Sequence, residues 1–261
     1  MAGKAFGLMS EEDVDRQAED EVLAEARDVV AALDIRLQQM RTGDLDGREA
    51  ARLLLLDASN LRLKARAVSM AGLGPLTHRL EDYLAGLPAL GAEHIDDLQT
   101  FSDRIAAVLD GEAVAESEVA DVVRHLPAKR TFEIEDVTIS EVEVTLVMGQ
   151  RSAARVVERE LAACGYRVST VLDPFEALAL IVETKPDLVI TAMVMPRMSG
   201  VDLACALSAM PATKKIPVAV LTSLSADHPD LAALPMNAGL IRRGPSFGDD
   251  LAHVLQRFTI T

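Results

Sequence analysis

PDLVITAMVMPRMSGVDL, residues 186–203, reads as a strand, a loop and the start of a helix. Asp187 to Ala192 is almost entirely apolar and rich in β-branched residues, the composition of a strand buried on both faces. Pro196 and Gly200 punctuate the segment behind it. From Val201 to Met210 the apolar residues recur at helical spacing. A buried strand that passes straight into a helix belongs to a parallel sheet with helical crossovers.

The same alternation extends both ways. Val144 to Met148 is an apolar strand and Ser152 to Ala163 a helix closed by Gly165-Tyr166. Arg167 to Leu172 is a strand and Pro174 to Glu183 a helix. Toward the C-terminus, Pro217 to Leu221 is a strand, a Pro- and Ala-containing segment follows, and Gly239 to Ile241 is a short strand. Phe247 to Phe258 closes the chain as a helix. Five strands over roughly 115 residues predict a flavodoxin-like (βα)5 doubly wound domain, residues 142–261.

Before residue 130 the pattern is helical. Ser10 with Asp13 resembles a capping box, and Val22, Ala26, Val29, Val30, Leu33 and Leu37 follow at helical spacing. A second helix begins near Asp46, carries Ala51, Leu54, Leu55, Ala58, Leu61 and Ala65, and reaches about Met70. Pro75 suits the first turn of a third, Leu76 to Leu84. A fourth runs from about Glu93 to Leu109 and a shorter one from Glu112 to Leu126. Short loops between amphipathic helices imply an antiparallel, up-down bundle over 10–126, joined to the sheet domain by a linker, 127–141.

With Asp and Glu exceeding Lys and Arg, the formal charge is −15, which argues against nucleic-acid and anionic-membrane partners. No signal peptide and no apolar run of membrane-spanning length is seen, so the cytoplasm is the expected compartment. Cys164 and Cys205 read as small buried hydrophobes inside helices. His78, His94, His125, His228 and His253 have no metal-ligand spacing, and no metal or cofactor is expected.

Residues 186–203 resemble the third strand, loop and following helix of bacterial response-regulator receivers, whose pattern is P-D-L, two apolar residues, x-D-x-x-M-P-x-M, Asp or Ser, then G-x, Asp or Glu, and L. CGYRVSTVLDPFEAL (164–178) and KKIPVAVLTS (214–223) are similar to the second- and fourth-strand regions of that family. The resemblance implies a phosphoacceptor aspartate, an acidic pair that helps it hold Mg²⁺, a lysine, and a Thr or Ser that closes on the phosphoryl group. The acceptor position falls at Ala192. The acidic pair falls within Met148-Gly149-Gln150, and the lysine at Arg243, followed by Gly244 in place of proline. Only Thr222 remains, and Gly239-Leu240-Ile241 lacks the aromatic switch residue. Asp187 and Asp202 stand where the family has structural acids. On this reading the domain is a pseudo-receiver.

Residues 20 to 110 resemble the histidine-phosphotransfer domain at the start of chemotaxis histidine kinases. Lys64-Ala65-Arg66-Ala67, Ala71-Gly72-Leu73 and His78-Arg79-Leu80-Glu81-Asp82 carry the likeness. The phosphorylated histidine of that family falls at Leu61, or at Asn60 or Ser59 in a shifted alignment. His78 reads as a partly buried helix histidine, and His94 and His125 as helix-surface residues.

Both resemblances together imply a non-enzymatic two-component protein that works by protein–protein interaction. Its partners would be histidine kinases, receivers or phosphotransfer proteins, with a leaning to chemosensory or motility signalling. A homo-oligomer is compatible with the sequence. Two rival readings stay open: a working phosphotransferase using His78 with a regulatory pseudo-receiver, and a ligand sensor in the vacated receiver pocket. The leucines of the second helix, Leu53 to Leu56 and Leu61, are a candidate contact face, although core is the expected place for most of them.

Overall fold

The computed structural model describes residues 10–112, 114–129, 141–225 and 227–260. The chain divides into two compact units, 1–116 and 117–261. Each has a core of its own.

The first unit holds four long helices: α1 (Glu11–Thr42), α2 (Gly47–Ala65), α3 (Leu73–Leu84) and α4 (Ile95–Leu109). Their starts are chemically marked. The Ser10 hydroxyl accepts the Asp13 N–H, and the Asp46 carboxylate accepts those of Arg48 and Glu49, each satisfying donors that a helix leaves free. Leu33, Leu37, Leu54, Leu61, Leu80 and Phe101 are fully buried in the core. Polar pairs then fix how the helices meet. Arg36 with Asp57, Glu25 with Lys64 and the Glu19 carboxylate with the Ser69 N–H match α1 to α2 in reverse order along the two segments. Asp34 accepts from Ser102 at 2.6 Å and Arg27 meets Asp110 at 3.4 Å, again in reverse order for α1 and α4.

In the second unit β1 (Glu143–Val147), β2 (Arg167–Val171), β3 (Leu188–Ala192), β4 (Val218–Thr222) and β5 (Ala238–Arg242) form one parallel sheet, ordered β2-β1-β3-β4-β5. This is the flavodoxin-like order. β1, β3 and β4 are buried at every residue, whereas the edge strands carry half-exposed positions. The helices are α5 (Val119–Arg124), α6 (Arg151–Ala163), α7 (Pro174–Thr184), α8 (Gly200–Ala209) and α9 (Phe247–Phe258). The chain steps from β1 outward to β2 and then back to β3. Right-handed crossovers therefore set α6 on the face opposite α7 and α8. Edge strand β5 is blunted by α9: Arg257 donates to the Ala238 carbonyl at 3.1 Å, and Asp250 accepts the Arg242 N–H at 2.9 Å.

Several expectations need correction. Among the described residues the sheet domain lacks one of the five helices that (βα)5 implies. Between β4 and β5 the described residues make a single 3₁₀ turn, Pro229–Leu231; Pro229 suits its first position, and Pro235 disfavours helical geometry in the residue before it. The fifth helix belongs with the sheet unit, although the sequence reading attached 112–126 to the bundle. It packs on α7, and Arg124 donates to both Asp187 oxygens at 2.8 and 3.0 Å. Those partners lie far along the chain, out of reach of a periodicity reading. Cys164 is exposed at the end of α6, and Cys205 is half-buried with its thiol 3.3 Å from the Ala233 carbonyl. Most of the expected 127–141 linker, residues 130–140, lies outside the described residues. No described helix is long and apolar enough to cross a membrane.

Candidate functional site

Parallel strands bring their C-terminal ends to one edge of the sheet, and the loops leaving that edge carry the chemistry of a doubly wound domain. The register sets Val147 beside Thr191, Ala192 beside Leu221 and Thr222 beside Arg242. Met148, Ala192, Thr222 and Arg243 thus share one edge, with Gly149 and Gln150 where the chain enters α6. The six receiver positions read from the sequence come together there.

None of the six carries a carboxylate, and Met148, Gly149 and Ala192 are apolar. Met148 is 1% exposed and Ala192 3%. Met193 and Met195 are buried in the same cluster, and the Thr191 hydroxyl approaches the Met195 sulfur at 3.7 Å. Thr222 retains a hydroxyl, whose oxygen accepts the Leu224 N–H at 3.0 Å and so stabilises the local turn. The Arg243 N–H donates to the Thr222 carbonyl at 3.0 Å while its side chain lies in solvent. The Mg²⁺ of receiver chemistry takes hard oxygen ligands, chiefly carboxylates. A thioether at 148, a hydrogen at 149 and a methyl at 192 supply none, and Gln150 offers only an uncharged amide oxygen, so the set lacks the carboxylates that ion needs. Among the described residues no three His, Cys, Asp or Glu side chains gather as a metal site.

The loop after β3 closes over this edge. A Cβ at Gly149 would lie 2.7 Å from Pro196 Cδ, nearer than two carbons can sit, so the loop rests where an acidic side chain would project. Gly200 permits an equally close approach, since a Cβ there would lie 2.4 Å from the Ala192 carbonyl oxygen. Arg197, at a φ of 67°, forms an ion pair with Asp173 and stands 4.9 Å over the Phe175 ring. Asp173 also caps α7 by accepting the N–H groups of Phe175 and Glu176. One carboxylate therefore both starts a helix and latches the loop. Val194, in that loop, is 86% exposed.

The nearby acids are engaged elsewhere. Asp202 caps α8 with Ser199, whose hydrogen bonds hold the carboxyl below its ordinary range. Asp187 sits at the opposite end of the sheet. Burial alone would raise its carboxyl, but Arg124 and the Glu143 N–H outweigh burial and hold it below the ordinary value.

The phosphotransfer positions assemble no solvent-facing site. Leu61 is 1% exposed and His78 4%, both inside the helical unit, and Lys64 is paired with Glu25. Ser59 donates to Glu81 at 2.8 Å. Within α2, Arg48, Arg52, Leu56, Asn60 and Leu63 face solvent. Of the leucine face expected from sequence, Leu54 and Leu61 are core, Leu53 and Leu55 are half-buried, and Leu56 is exposed. Leu63 was missed, although it follows Leu56 by seven residues and lies off the Leu54–Ala58–Leu61 stripe. His94 is buried and not at the surface: its Nδ1 accepts the Gly91 N–H at 3.0 Å, so the ring closes the turn before α4. His125 is exposed as expected. The latch of Arg197, Asp173 and Phe175 gave no sequence signal, because its members are ordinary loop and cap residues until the fold brings them together.

Residues 144–240 match the response regulator receiver domain family. Transcriptional regulatory protein PrrA of Mycobacterium leprae is 34% identical over 103 residues, 40% of this chain and 43% of that protein. Protein PilG of Pseudomonas aeruginosa is 31% identical over 81 residues, 31% of this chain and 60% of that protein. Among solved structures, the signal receiver domain of a signal transduction histidine kinase from Syntrophus aciditrophicus is 27% identical, covering 45% of this chain and 90% of that one, with a TM-score of 0.41. The chain spans 43% and 60% of the length of these two curated relatives.

Proposed function

We propose that the chain, whose residues 144–240 are a response-regulator receiver domain, is a two-component signalling protein that binds partners and is not itself phosphorylated. The observation that carries this reading is the edge just described. The acceptor position is the methyl of Ala192, no carboxylate stands at 148–150, and Pro196 occupies the space in front of Gly149. An aspartate nucleophile, its metal and room for a phosphoryl group are each needed for acyl phosphate formation.

The helical unit is read as a histidine-phosphotransfer-like, antiparallel bundle that has lost its phosphosite. The reversed pairing of α1 with α2 and α4 supports the topology. With Leu61 in the core and His78 4% exposed, neither position offers an accessible imidazole. A phosphotransferase acting through His78 is disfavoured on that ground. What survives is surface, and the partners would be histidine kinases, receivers or phosphotransfer proteins of a chemosensory or related pathway.

Incubating the full chain with radiolabelled acetyl phosphate, and separately with an autophosphorylated histidine kinase, tests the proposal. The expected result is no protein-bound label. Acid-labile, base-resistant or base-labile label on any residue, at a stoichiometry near that of an ordinary receiver run alongside, would sink it.

A further inference from the structure

We infer that Met195-Pro196-Arg197 is a clip that holds the loops after β1, β2 and β3 in one conformation with neither cation nor phosphoryl group, and that Arg197 is the positioning residue that closes it. The inference rests on reading the chain as a signalling protein that is not phosphorylated, and it says what keeps the edge in shape. The three residues are consecutive, yet each is anchored to a different strand end. Met195 points inward: it is 8% exposed, belongs to the sheet core, and its sulfur lies 3.7 Å from the Thr191 hydroxyl of β3. Pro196 rests on the turn after β1, filling the space in front of Gly149. Arg197 reaches the turn after β2, where it pairs with Asp173 and covers the Phe175 ring.

The backbone bends to allow this. Arg197 has a left-handed φ of 67°, and the Met198 N–H donates to the Pro196 carbonyl at 2.9 Å, closing a three-residue turn around it. Turns of that kind with a positive φ are rare and strained. A residue with a side chain keeps such a conformation only where its surroundings over-determine it. They do so on both sides. Behind the turn, the Gly200 N–H donates to the Met193 carbonyl at 2.9 Å, and Ser199 with Asp202 caps α8. Across the edge, Asp173 is a fixed acceptor, because the Phe175 and Glu176 N–H groups already hold its carboxylate at 3.0 and 3.1 Å.

In the receiver pattern a cation joins the carboxylates after the first strand to the acceptor after the third. The corresponding residues here, Met148-Gly149-Gln150 and Ala192, supply no carboxylate. The clip joins the same two strand ends through apolar contact and adds the end of β2 through charge. With the Arg197 side chain 61% exposed, its ion pair would contribute little by itself. The aromatic face beneath the guanidinium strengthens it, and the two neighbouring anchors leave the loop little freedom to lose. A clip of this kind presents partners with one constant edge, with Val194 86% exposed on its outer side.

Amide hydrogen exchange of the full chain, read by mass spectrometry over residues 148–152, 172–177 and 193–199, tests the clip. In the wild-type chain these segments should exchange equally fast with and without Mg²⁺ and beryllofluoride, a phosphoryl mimic. R197N removes the guanidinium, while Asn still tolerates a positive φ. It should speed exchange in all three segments by at least about threefold, with the helical unit and α9 unchanged. D173N, which keeps a good helix cap, should do the same, and the double variant should add nothing further. R197K keeps the charge and should restore part of the protection. Any of five results would overturn the inference: slower exchange with Mg²⁺ and beryllofluoride, no change in R197N, a change confined to 193–199 or spread over the whole chain, additive effects of R197N and D173N, or R197K no better than R197N. Label from acetyl phosphate would overturn the functional reading and leave the exchange result standing, so the two fail separately.

Discussion

An aspartate introduced at position 192 would enter a site that is 3% exposed and shares a buried cluster with Met148, Met193 and Met195. Without a metal or a cationic partner its ionised form is poorly solvated there. Ala192→Asp should therefore cost about 1–3 kcal/mol, judged from burial of unpaired polar groups, and should still take no label from acetyl phosphate. Its folded-state pKa would be raised, so the protein should lose stability as pH climbs through that value; urea unfolding at acid and alkaline pH reads the difference. Asp187 has the opposite sign. Its carboxyl is held below the ordinary range, so its contribution is complete above the unfolded value of about 3.9 and is lost as pH falls through the lower, folded one. Asp187→Asn should flatten the acid limb of the stability curve and leave the neutral region lower throughout. An acid limb unchanged by the substitution would mean that Arg124 contributes little there.

At the scale of elements, α2 separates what periodicity tells from what it leaves open. The Leu54–Ala58–Leu61–Ala65 stripe is core, as its spacing implies, whereas Leu56 and Leu63 face water. Leu61→Ala should cost about 2–5 kcal/mol, the usual range for truncating a fully buried leucine. Leu56→Ala and Leu63→Ala should stay within about 0.5 kcal/mol, as surface changes do. Chemical denaturation of the full chain distinguishes the two classes. Leu61→His, which restores the imidazole at the aligned position, should acquire no phosphoryl group because the side chain would point into the core. The short helix α5 gives the converse lesson. Six residues of Val, Ala, Asp and Arg look like the tail of the preceding bundle, yet the bidentate bond from Arg124 to Asp187 fastens them to the sheet unit. Arg124→Ala should cost about 1–2 kcal/mol, low in the range for bonds to charged groups because the pair is partly exposed.

For the whole molecule, two units with separate cores predict more than one unfolding step. Calorimetry of the full chain should show Leu61→Ala shifting one transition and Arg124→Ala the other. A single transition moved equally by both would show that the units unfold together. The two-unit division and the parallel sheet were legible because each rests on local pattern: apolar runs between helices for the sheet, and 3.6-residue periodicity for the bundle. The boundary was misplaced because it depends on which distant residues α5 touches. Between β4 and β5 the sequence shows only a Pro- and Ala-containing segment with no helical period, and the described residues there make just a 3₁₀ turn.

The sequence by itself determined which atoms are absent. A methyl at 192 and no carboxylate at 148–150 are facts of covalent structure, and no packing can turn them into an acceptor carboxylate or an acidic pair. Only the tertiary structure decided what fills the resulting space and what faces outward. Pro196 over Gly149, the latch from Arg197 to Asp173 and the exposure of Leu56 and Leu63 all depend on which groups far apart in the chain meet. Local pattern fixes the period of each element. The side it turns to water is set by the other elements that compete to cover it.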